Sequence, residues 1–302
     1  MTFMLETRGL SKQYGTSWAL RDCTLQIPSG HVAGLVGPNG AGKTTLLHLA
    51  IGLLDPSAGS IEVLGDSPHT HPREVLARVG FVAQNRPLYK RFTVEQHLQF
   101  GAWLNQRWDH VRARERLARY NIALTRKVGS LSGGQQAQVS LVLALAKCPQ
   151  LLLLDEPLSN LDPLARQEFL RSMLVAATEE QFTVLFSSHV VAELGRFCDY
   201  VILLAKGQVQ LAGDVDALLA AHRRLTRAGG EITECEGDPG VVSLERRERE
   251  ITMIVQKETN INRLGWQEHA VTLEDVILAY MAHPAVNLRS SLLEREKENV
   301  QQ

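Results

Sequence analysis

The 302-residue sequence lacks several features that would place it in a particular class of protein. It has no stretch near the roughly 18 to 20 consecutive apolar residues that a membrane-spanning helix needs. No basic region followed by an apolar core is visible at the N-terminus, so no secretory signal is predicted. The four cysteines are scattered without a C-x-x-C pair, which indicates neither disulfides nor zinc and favours a reducing cytoplasm. The formal net charge is only −1, so the balance of charge does not indicate binding to nucleic acid.

Five short apolar segments each end at a polar or glycine residue that precedes a helix or loop signal. Continuous apolar strands with helical connections are typical of a parallel sheet covered on both faces, which predicts an α/β fold. Ligands bind beyond the carboxyl ends of such strands, so polar residues following four of the segments are expected to converge on one site. The last segment continues through Lys206-Gly207 into QVQLAG and predicts a hairpin. The five segments are residues 31–36, 78–83, 151–154, 183–188 and 199–205.

Residues 87–149 differ from this pattern and predict a mostly helical subdomain inserted into the α/β core. Its helical patterns include a charged stretch with four arginines. We interpret most of those arginines as part of a solvated helix face rather than a nucleic-acid site, because mixed charge is common on exposed helices. The helical stretches are residues 93–106, 110–122 and 135–147, and the arginines are Arg112, Arg114, Arg116 and Arg119.

The pattern changes again near residue 216, which predicts a first domain of residues 1–215 and a small α+β accessory domain of residues 216–302. DVDALLAAHRRL (214–225) predicts a helix, and residues 232–257 predict two or three strands. VTLEDVILAYMA (271–282) predicts a helix capped near Thr272. The tail from residue 290 onward is expected to be frayed.

GPNGAGKT fits the pattern G-x-x-x-x-G-K-[ST] and lies between a predicted strand and a predicted helix, the context that a phosphate-binding loop needs. Its glycines let the backbone turn tightly and aim N–H groups at phosphate oxygens. Lys43 supplies positive charge to the β- and γ-phosphates, and Thr44 offers a hydroxyl to Mg²⁺. The predicted nucleotide-binding segment is Gly37, Pro38, Asn39, Gly40, Ala41, Gly42, Lys43, Thr44 and Thr45.

Polar residues at three other strand ends complete the predicted site. Asp155 follows LLLL, where its carboxylate can hold Mg²⁺, and the adjacent Glu156 points to a different side and can activate the attacking water. The amide of Gln84 can reach Mg²⁺ or water, and His189 can bond the γ-phosphate. Each of these residues alone is more often an ordinary turn, surface or core residue. After a phosphate-binding loop they predict an ATPase.

Together, these motifs resemble the ATP-binding subunit of an ABC (ATP-binding cassette) transporter over roughly residues 3–215. LSGGQ (131–135) is the most specific element, because it separates this family from other P-loop ATPases, and SNLD (159–162) follows LLLLDEP in the family's order. The resemblance implies a P-loop NTPase (RecA-like) core with an N-terminal antiparallel β subdomain. It also implies that Tyr14 stacks on adenine, although a tyrosine in an early strand is otherwise a packing residue.

The resemblance further implies a head-to-tail pair of cassettes enclosing two ATP molecules, formed with a second copy or with a homologous cassette. Each ATP lies between the phosphate-binding loop of one chain and the LSGGQ segment of the other. The start of a helix is an anion site, which agrees with this role. The three residues after LSGGQ, Gln136-Ala137-Gln138, stand where many members carry arginines, so positive charge near the partner's phosphate is expected to be missing. The residues acting in trans are Ser132, Gly133, Gly134 and Gln135.

With one cassette and no predicted membrane span, the chain is expected to dock on separately encoded transmembrane permease subunits through residues 84–93. This would place it at the cytoplasmic face of the cell membrane. LEDVILAYM (273–281) resembles the C-terminal helix of cassettes from bacterial drug and antibiotic exporters, which favours export. Two alternatives stay open, an ABC importer ATPase and a soluble ABC ATPase without transport. The compact insert and single cassette disfavour the soluble alternative.

Overall fold

The computed structural model describes residues 2–228, 238, 240–247, 250–257, 259 and 265–282, and the chain divides into two compact units, Met1–Ala212 and Gly213–Gln302. Cys235 and the tail predicted to be frayed lie outside the described residues. In the described part of the chain, no helix combines the length and apolar character needed to cross a membrane.

The elements of the first unit fall into three parts along the chain, with a helical insert between two parts that contain the strands. The first part is β1 (Phe3–Tyr14), β2 (Ser17–Pro28), β3 (Val32–Val36), α1 (Lys43–Ala50), β4 (Ala58–Val63), α2 (Pro72–Arg78) and β5 (Val79–Val82). The helical insert is α3 (Val94–Leu104), α4 (His110–Arg119), a 3-10 turn (Val128–Ser130) and α5 (Gly133–Ala146). The remainder is β6 (Leu151–Leu154), α6 (Pro163–Glu180), β7 (Thr183–Ser188), α7 (Val191–Phe197), β8 (Tyr200–Ala205) and β9 (Gln208–Asp214).

A six-stranded sheet with the order β5-β6-β7-β3-β8-β9 forms the centre of this unit. Its first five strands pair in parallel, so the predicted α/β fold is confirmed. The strands β6 and β7 are buried along their whole length, as expected for a parallel sheet covered on both faces. Lys206 and Gly207 join β8 to β9 with φ values of 50° and 73°. Two positive φ angles suit a type I′ turn, which explains the hairpin.

A second sheet contains three antiparallel strands in the order β2-β1-β4, which confirms the antiparallel N-terminal part. One hydrophobic core joins it to the central sheet. Leu5 and Ile61 come from the antiparallel sheet, Leu35 and Leu153 from the parallel sheet, and Leu47 from α1. The loop between β3 and α1 is thus held between two sheets.

The helical insert has a hydrophobic core of its own. Val94 and Leu98 of α3, Leu117 of α4 and Val139 and Val142 of α5 pack together there. Helix α3 begins with a capping box between Thr93 and Gln96. Helix α5 is buried on most sides, because its other faces contact α6 and β5. Only the start of α5 is left exposed, at Ser132 and Gly133.

Three of the four arginines of α4 lie on a solvated face, as the sequence predicts for most of them, and the fourth is buried. Arg112, Arg114 and Arg119 are exposed. Arg116, however, is buried and forms an ion pair with Glu180 at the end of α6. It shares the inner face of α4 with Ala113 and Leu117, so a paired arginine takes part in the packing of the insert.

The second unit contains α8 (Val215–Ala221), β10 (His222–Ala228), β11 (Val241–Arg246), β12 (Glu250–Gln256), β13 (Gln267–His269) and α9 (Leu273–Ala282). Its strands form an antiparallel sheet in the order β11-β12-β10-β13. The predicted helix over residues 214–225 is wrong after Ala221, because β10 pairs with β12 along its full length and this pairing outweighs local helix preference. The cap at Thr272 is confirmed, since Thr272 and Asp275 exchange hydrogen bonds at the start of α9.

A buried polar group links the helices of the second unit to its sheet. The Nδ1 of His222 lies 2.7 Å from the carbonyl oxygen of Leu218, and its Nε2 lies 3.0 Å from the hydroxyl of Tyr280. Burial lowers the pKa of His222 and raises the pKa of Tyr280. Both side chains are therefore held in their neutral forms.

Candidate active site

The loop from Gly37 to Gly42 passes very close to the end of β8. A Cβ atom on Gly37 would lie 2.0 Å from the carbonyl oxygen of Leu204, so no larger residue fits without movement. Gly40 and Gly42 have φ values of 79° and 105°, a region that favours glycine. Helix α1 begins directly after the loop, so its free N–H groups and positive dipole end face the loop. Pro38, Asn39 and Gly40 are exposed, Thr45 is half-buried on α1, and Ala41 is buried.

Lys43 lies at the centre of the site. Its Nζ donates hydrogen bonds to the carbonyl oxygens of Gly37 (2.7 Å) and Pro38 (3.2 Å). It also lies 3.4 Å from Oε1 of Glu156, and both side chains are almost fully buried, with 6% and 10% exposed. The ammonium group thus connects the phosphate-binding loop to the end of β6.

Glu156 has an unusual backbone that separates it from its neighbour. Its φ is 44°, and a non-glycine residue in this region costs about 1–3 kcal/mol. The conformation is held by the hydrogen bond from the Glu156 N–H to Oγ of Ser187 (2.7 Å). Oε2 of Glu156 accepts from Nδ1 of His189 at 2.8 Å. The carboxylate therefore lies between a lysine and a histidine.

Asp155 faces a different set of partners. Its Oδ1 accepts hydrogen bonds from Thr44 Oγ1 (3.1 Å) and from Ser187 Oγ (2.9 Å). Hydroxyl and carboxylate oxygens are the ligands that Mg²⁺ prefers, so Thr44 and Asp155 fit this ion. Ser187 was not predicted from the sequence, and the only signal for it is the polar pair that ends the apolar strand TVLFSS.

The structure does not bring every predicted residue into this network. Gln84 is exposed two residues after β5, and none of the described hydrogen bonds joins it to Asp155 or Glu156. Tyr14 is 48% exposed at the end of β1, with Nζ of Lys12 5.5 Å from its ring centroid. An exposed aromatic ring is available for stacking, but its role stays a prediction.

The LSGGQ segment forms the capped start of α5. Ser132 Oγ accepts from the Gln135 N–H (3.2 Å), and Gln135 Oε1 accepts from the Ser132 N–H (3.3 Å). No acidic residue lies in the first turn, so the positive end of the helix dipole is not compensated within it. Gly133 and Gly134 lie in that turn, next to the exposed Ser132. This surface can receive an anion from outside the chain.

Two of the three residues after LSGGQ do not face that surface. Ala137 is fully buried, and Gln138 is 4% exposed and donates from Nε2 to Ser172 of α6. The expectation that these positions leave positive charge missing near the partner's phosphate stays a prediction. Gln136 also turns back, and its Nε2 donates to the carbonyl oxygen of Leu131.

Two arginines that the sequence analysis did not single out lie beside the first turn of α5 instead. Arg126 donates to the carbonyl oxygen of Ser130 (2.6 Å) and lies 3.4 Å from Oε1 of Gln135. Arg86 donates to the carbonyl oxygen of Gly133 at 3.3 Å, and burial lowers the pKa of its guanidinium. Positive charge is thus present at the start of α5, but its source is two arginines in loops outside the helix.

Comparison with known proteins gives consistent matches. Residues 20–159 match the family described as ABC transporter. The sulfate/thiosulfate import ATP-binding protein CysA of Yersinia pseudotuberculosis is 34% identical over 254 residues, which cover 78% of this chain and 67% of that protein. The Nod factor export ATP-binding protein I of Rhizobium johnstonii is 33% identical over 264 residues, covering 84% and 82%. The structure of cbiO1 from Clostridium perfringens, part of the transporter complex cbiONQ, has a TM-score of 0.64 at 27% identity, covering 73% and 92%.

Proposed function

Because the chain belongs to the ABC transporter ATP-binding family and is an ATPase of that family, we propose that it pairs head-to-tail around two ATP molecules and drives export. The partner cassette is a second copy or a homologous chain. The cargo is a drug-like or antibiotic molecule, and separately encoded membrane subunits carry it. The chain lies at the cytoplasmic face of the membrane through those subunits.

The contact of Glu156 with both Lys43 and His189 carries the part of this proposal that concerns ATP hydrolysis. In hydrolysis the Glu156 carboxylate accepts a proton from water while the water oxygen attacks the γ-phosphorus and ADP leaves. Lys43 binds the β- and γ-phosphates, and His189 holds the γ-phosphate in position. Thr44, Asp155 and Gln84 would hold Mg²⁺, which neutralises charge on the phosphates when it is bound.

Exchange of Glu156 for glutamine tests the catalytic role. Glu156→Gln should bind ATP as the unchanged chain does, while its turnover falls by roughly 10²- to 10⁴-fold, the usual contribution of a general base. Glu179→Gln is a matched control, because Glu179 is exposed on α6. Full turnover in Glu156→Gln would show that another group activates the water.

The exposed start of α5 supports the role in trans. Ser132→Arg should impair hydrolysis but leave ATP binding to the isolated chain largely intact, whereas Lys43→Ala should lose ATP binding. Mixing these two inactive variants is the sharper test, because a head-to-tail heterodimer contains one site with an intact Lys43 and an intact Ser132. If half of the dimers are mixed and one site in each works, activity should return to about one quarter of the unchanged level. No recovery would mean that Ser132 serves its own chain's nucleotide.

An aromatic cluster beside Gln84 supports docking on a membrane subunit. Tyr89 is 55% exposed and Phe92 is 38% exposed, and their ring centroids lie 5.1 Å apart. Phe100 of α3 extends the cluster, at 5.9 Å from Tyr89. Exposed aromatic groups are favoured at protein interfaces. Tyr89→Ser should reduce copurification with the membrane subunit and leave the ATPase activity of the isolated chain unchanged.

Export as the direction of transport is supported by how much of each chain aligns with an exporter and with an importer. The alignment with the Nod factor export protein covers more of both chains than the alignment with the sulfate/thiosulfate import protein. Import is the second candidate because of that importer. Inside-out vesicles containing the chain and its membrane subunits separate the two. Export predicts that ATP added outside drives a labelled drug into the vesicles, and import predicts that it does not.

A further inference from the structure

The side chain of Arg86 hydrogen-bonds to both the start of α5 and the loop after Glu156. Its Nη1 donates to the carbonyl oxygen of Gly133 (3.3 Å), and its Nη2 donates to the carbonyl oxygen of Ser159 (2.5 Å). Charge-assisted bonds of this kind are stronger than neutral ones. A guanidinium holds its donors in a rigid planar fork, so the two carbonyl groups are kept at a fixed separation.

The second of these carbonyl groups leads directly to the candidate catalytic residue. The N–H of Ser159 donates to the carbonyl oxygen of Glu156 at 3.1 Å. Residues 156–159 therefore form one tight turn, with Glu156 at one end and the Arg86 contact at the other. A shift of the guanidinium would be transmitted to Glu156 through a single backbone turn.

The backbone of Arg86 is also held in a restricted conformation. Its φ is 42°, in the left-handed region that non-glycine residues seldom occupy. The N–H of Arg86 donates to the carbonyl oxygen of Ala83, and its own carbonyl accepts from Leu88. Such conformations persist when the surroundings hold them. The segment after Gln84 is thus shaped to direct this side chain inward.

The charge of Arg86 does not serve to stabilise α5. A cation close to a helix N-terminus is unfavourable for the helix itself. Arg126 adds a second cation at the same turn. Together with the uncompensated helix start, the two cations favour binding of an anion at this turn, as the proposed function requires for the partner's ATP.

We propose that Arg86 is a positioning residue that holds the LSGGQ helix start and the Glu156 turn as one unit, so that both halves of the paired ATP sites close together. This inference rests on the proposed function, because the LSGGQ segment must act on the ATP of a partner chain. It assigns to the residues after Gln84 a role inside the ATPase, in addition to docking.

The test compares Arg86→Ala and Arg86→Lys, since lysine keeps the charge and the aliphatic stem but lacks the planar fork. Arg119→Ala is the control, because it removes an exposed arginine from the helical insert without touching either carbonyl group. ATP binding to the isolated chain should stay within about twofold of the unchanged chain for every variant, which also reports intact folding. Both Arg86 variants should lower kcat at least tenfold with little change in KM for ATP. Each should also weaken ATP-dependent dimerisation at least tenfold when combined with Glu156→Gln.

Two outcomes would overturn the inference. Unchanged kcat in Arg86→Lys would show that the charge, and not the bridge between two carbonyl groups, is what matters. A loss of isolated-chain ATP binding as large as that in Lys43→Ala would show that Arg86 supports its own nucleotide site. Failure of the proposed function itself looks different, because Glu156→Gln would then give no ATP-dependent dimer even with Arg86 intact.

Discussion

Exchange of Gly37 for alanine should weaken ATP binding far more than the same change at Gly40. The added Cβ atom would lie 2.0 Å from the carbonyl oxygen of Leu204, although real Cβ atoms essentially never approach closer than 3.0 Å. The loop must therefore retreat by about 1 Å, and a displacement of that size costs on the order of 100-fold in a precisely aligned site, or about 2.7 kcal/mol. At Gly40 nothing lies within 4 Å, and only its φ of 79° opposes a side chain.

Gly40→Ala is for this reason a matched control within the same loop. The backbone strain of an alanine at position 40 is present with and without nucleotide. Gly40→Ala should therefore lower the free energy of unfolding by about 1–2 kcal/mol but change the affinity for ATP less than about fivefold. Calorimetric titration with MgATP measures both affinities, with Glu156→Gln present in each chain to prevent hydrolysis. If Gly37→Ala bound ATP within threefold of the unchanged loop, the approach to Leu204 would not be the reason for glycine at this position.

Three other substitutions test the network and the second unit. Ser187→Ala leaves the buried N–H of Glu156 without an acceptor, which should destabilise the fold by about 1–3 kcal/mol and lower kcat roughly tenfold; a kcat within twofold of the unchanged chain would contradict the role of the hydroxyl. Thr44→Val should raise the Mg²⁺ concentration for half-maximal activity about tenfold, since one oxygen ligand is removed; an unchanged Mg²⁺ titration would argue against the site. Burial lowers the pKa of His222, so below about pH 6.5 this side chain binds a proton in the unfolded chain but stays neutral in the folded chain. The free energy of unfolding should therefore fall as the pH drops through 6.5, by at most about 1.4 kcal/mol per pH unit. His222→Gln should remove that part of the slope, as measured by amide exchange in β10 at pH 7.5 and 5.5.

The central sheet could be predicted because most of its strands are short apolar runs that a polar residue follows. LLLL is apolar at every position and is followed by Asp155, while TVLFSS has an apolar centre and ends in two serines, and both strands are buried along their whole length. Lys43, Asp155, Glu156 and His189 could be named for the same reason. Their placement follows from the rule that parallel strands direct their carboxyl ends to one edge.

The role of Ser187 could not be predicted, because it depends on the order of strands in space. β7 lies between β6 and β3, and neighbouring strands are about 4.8 Å apart. The ends of β6 and β3 are thus roughly 10 Å apart, and a side chain at the end of β7 fills the gap. The sequence shows only a serine after an apolar run.

Long-range pairing also explains the other failures. LLAAHRRL has a helical preference, but its second half pairs with β12, some thirty residues later. Arg86 lies in a loop, and its proposed role depends on its hydrogen bonds to Gly133 and Ser159. These two residues lie next to Arg86 only because α5 and α6 pack together. Sequence patterns describe local preference well and distant partners poorly.

The strand order has a further consequence for how the chain is made. β3, which carries the phosphate-binding loop, pairs with β7 and β8, where Val32 lies opposite Val184 and Ala33 opposite Tyr200. Both neighbours are synthesised about 150 residues later, which takes roughly 10–30 s at typical elongation rates. During this time β3 is an apolar segment whose two strand partners have not yet been made. Unpaired strand edges make the first half of the nascent chain prone to aggregation. The strand that carries the phosphate-binding loop is therefore fully paired only after residue 205 has emerged.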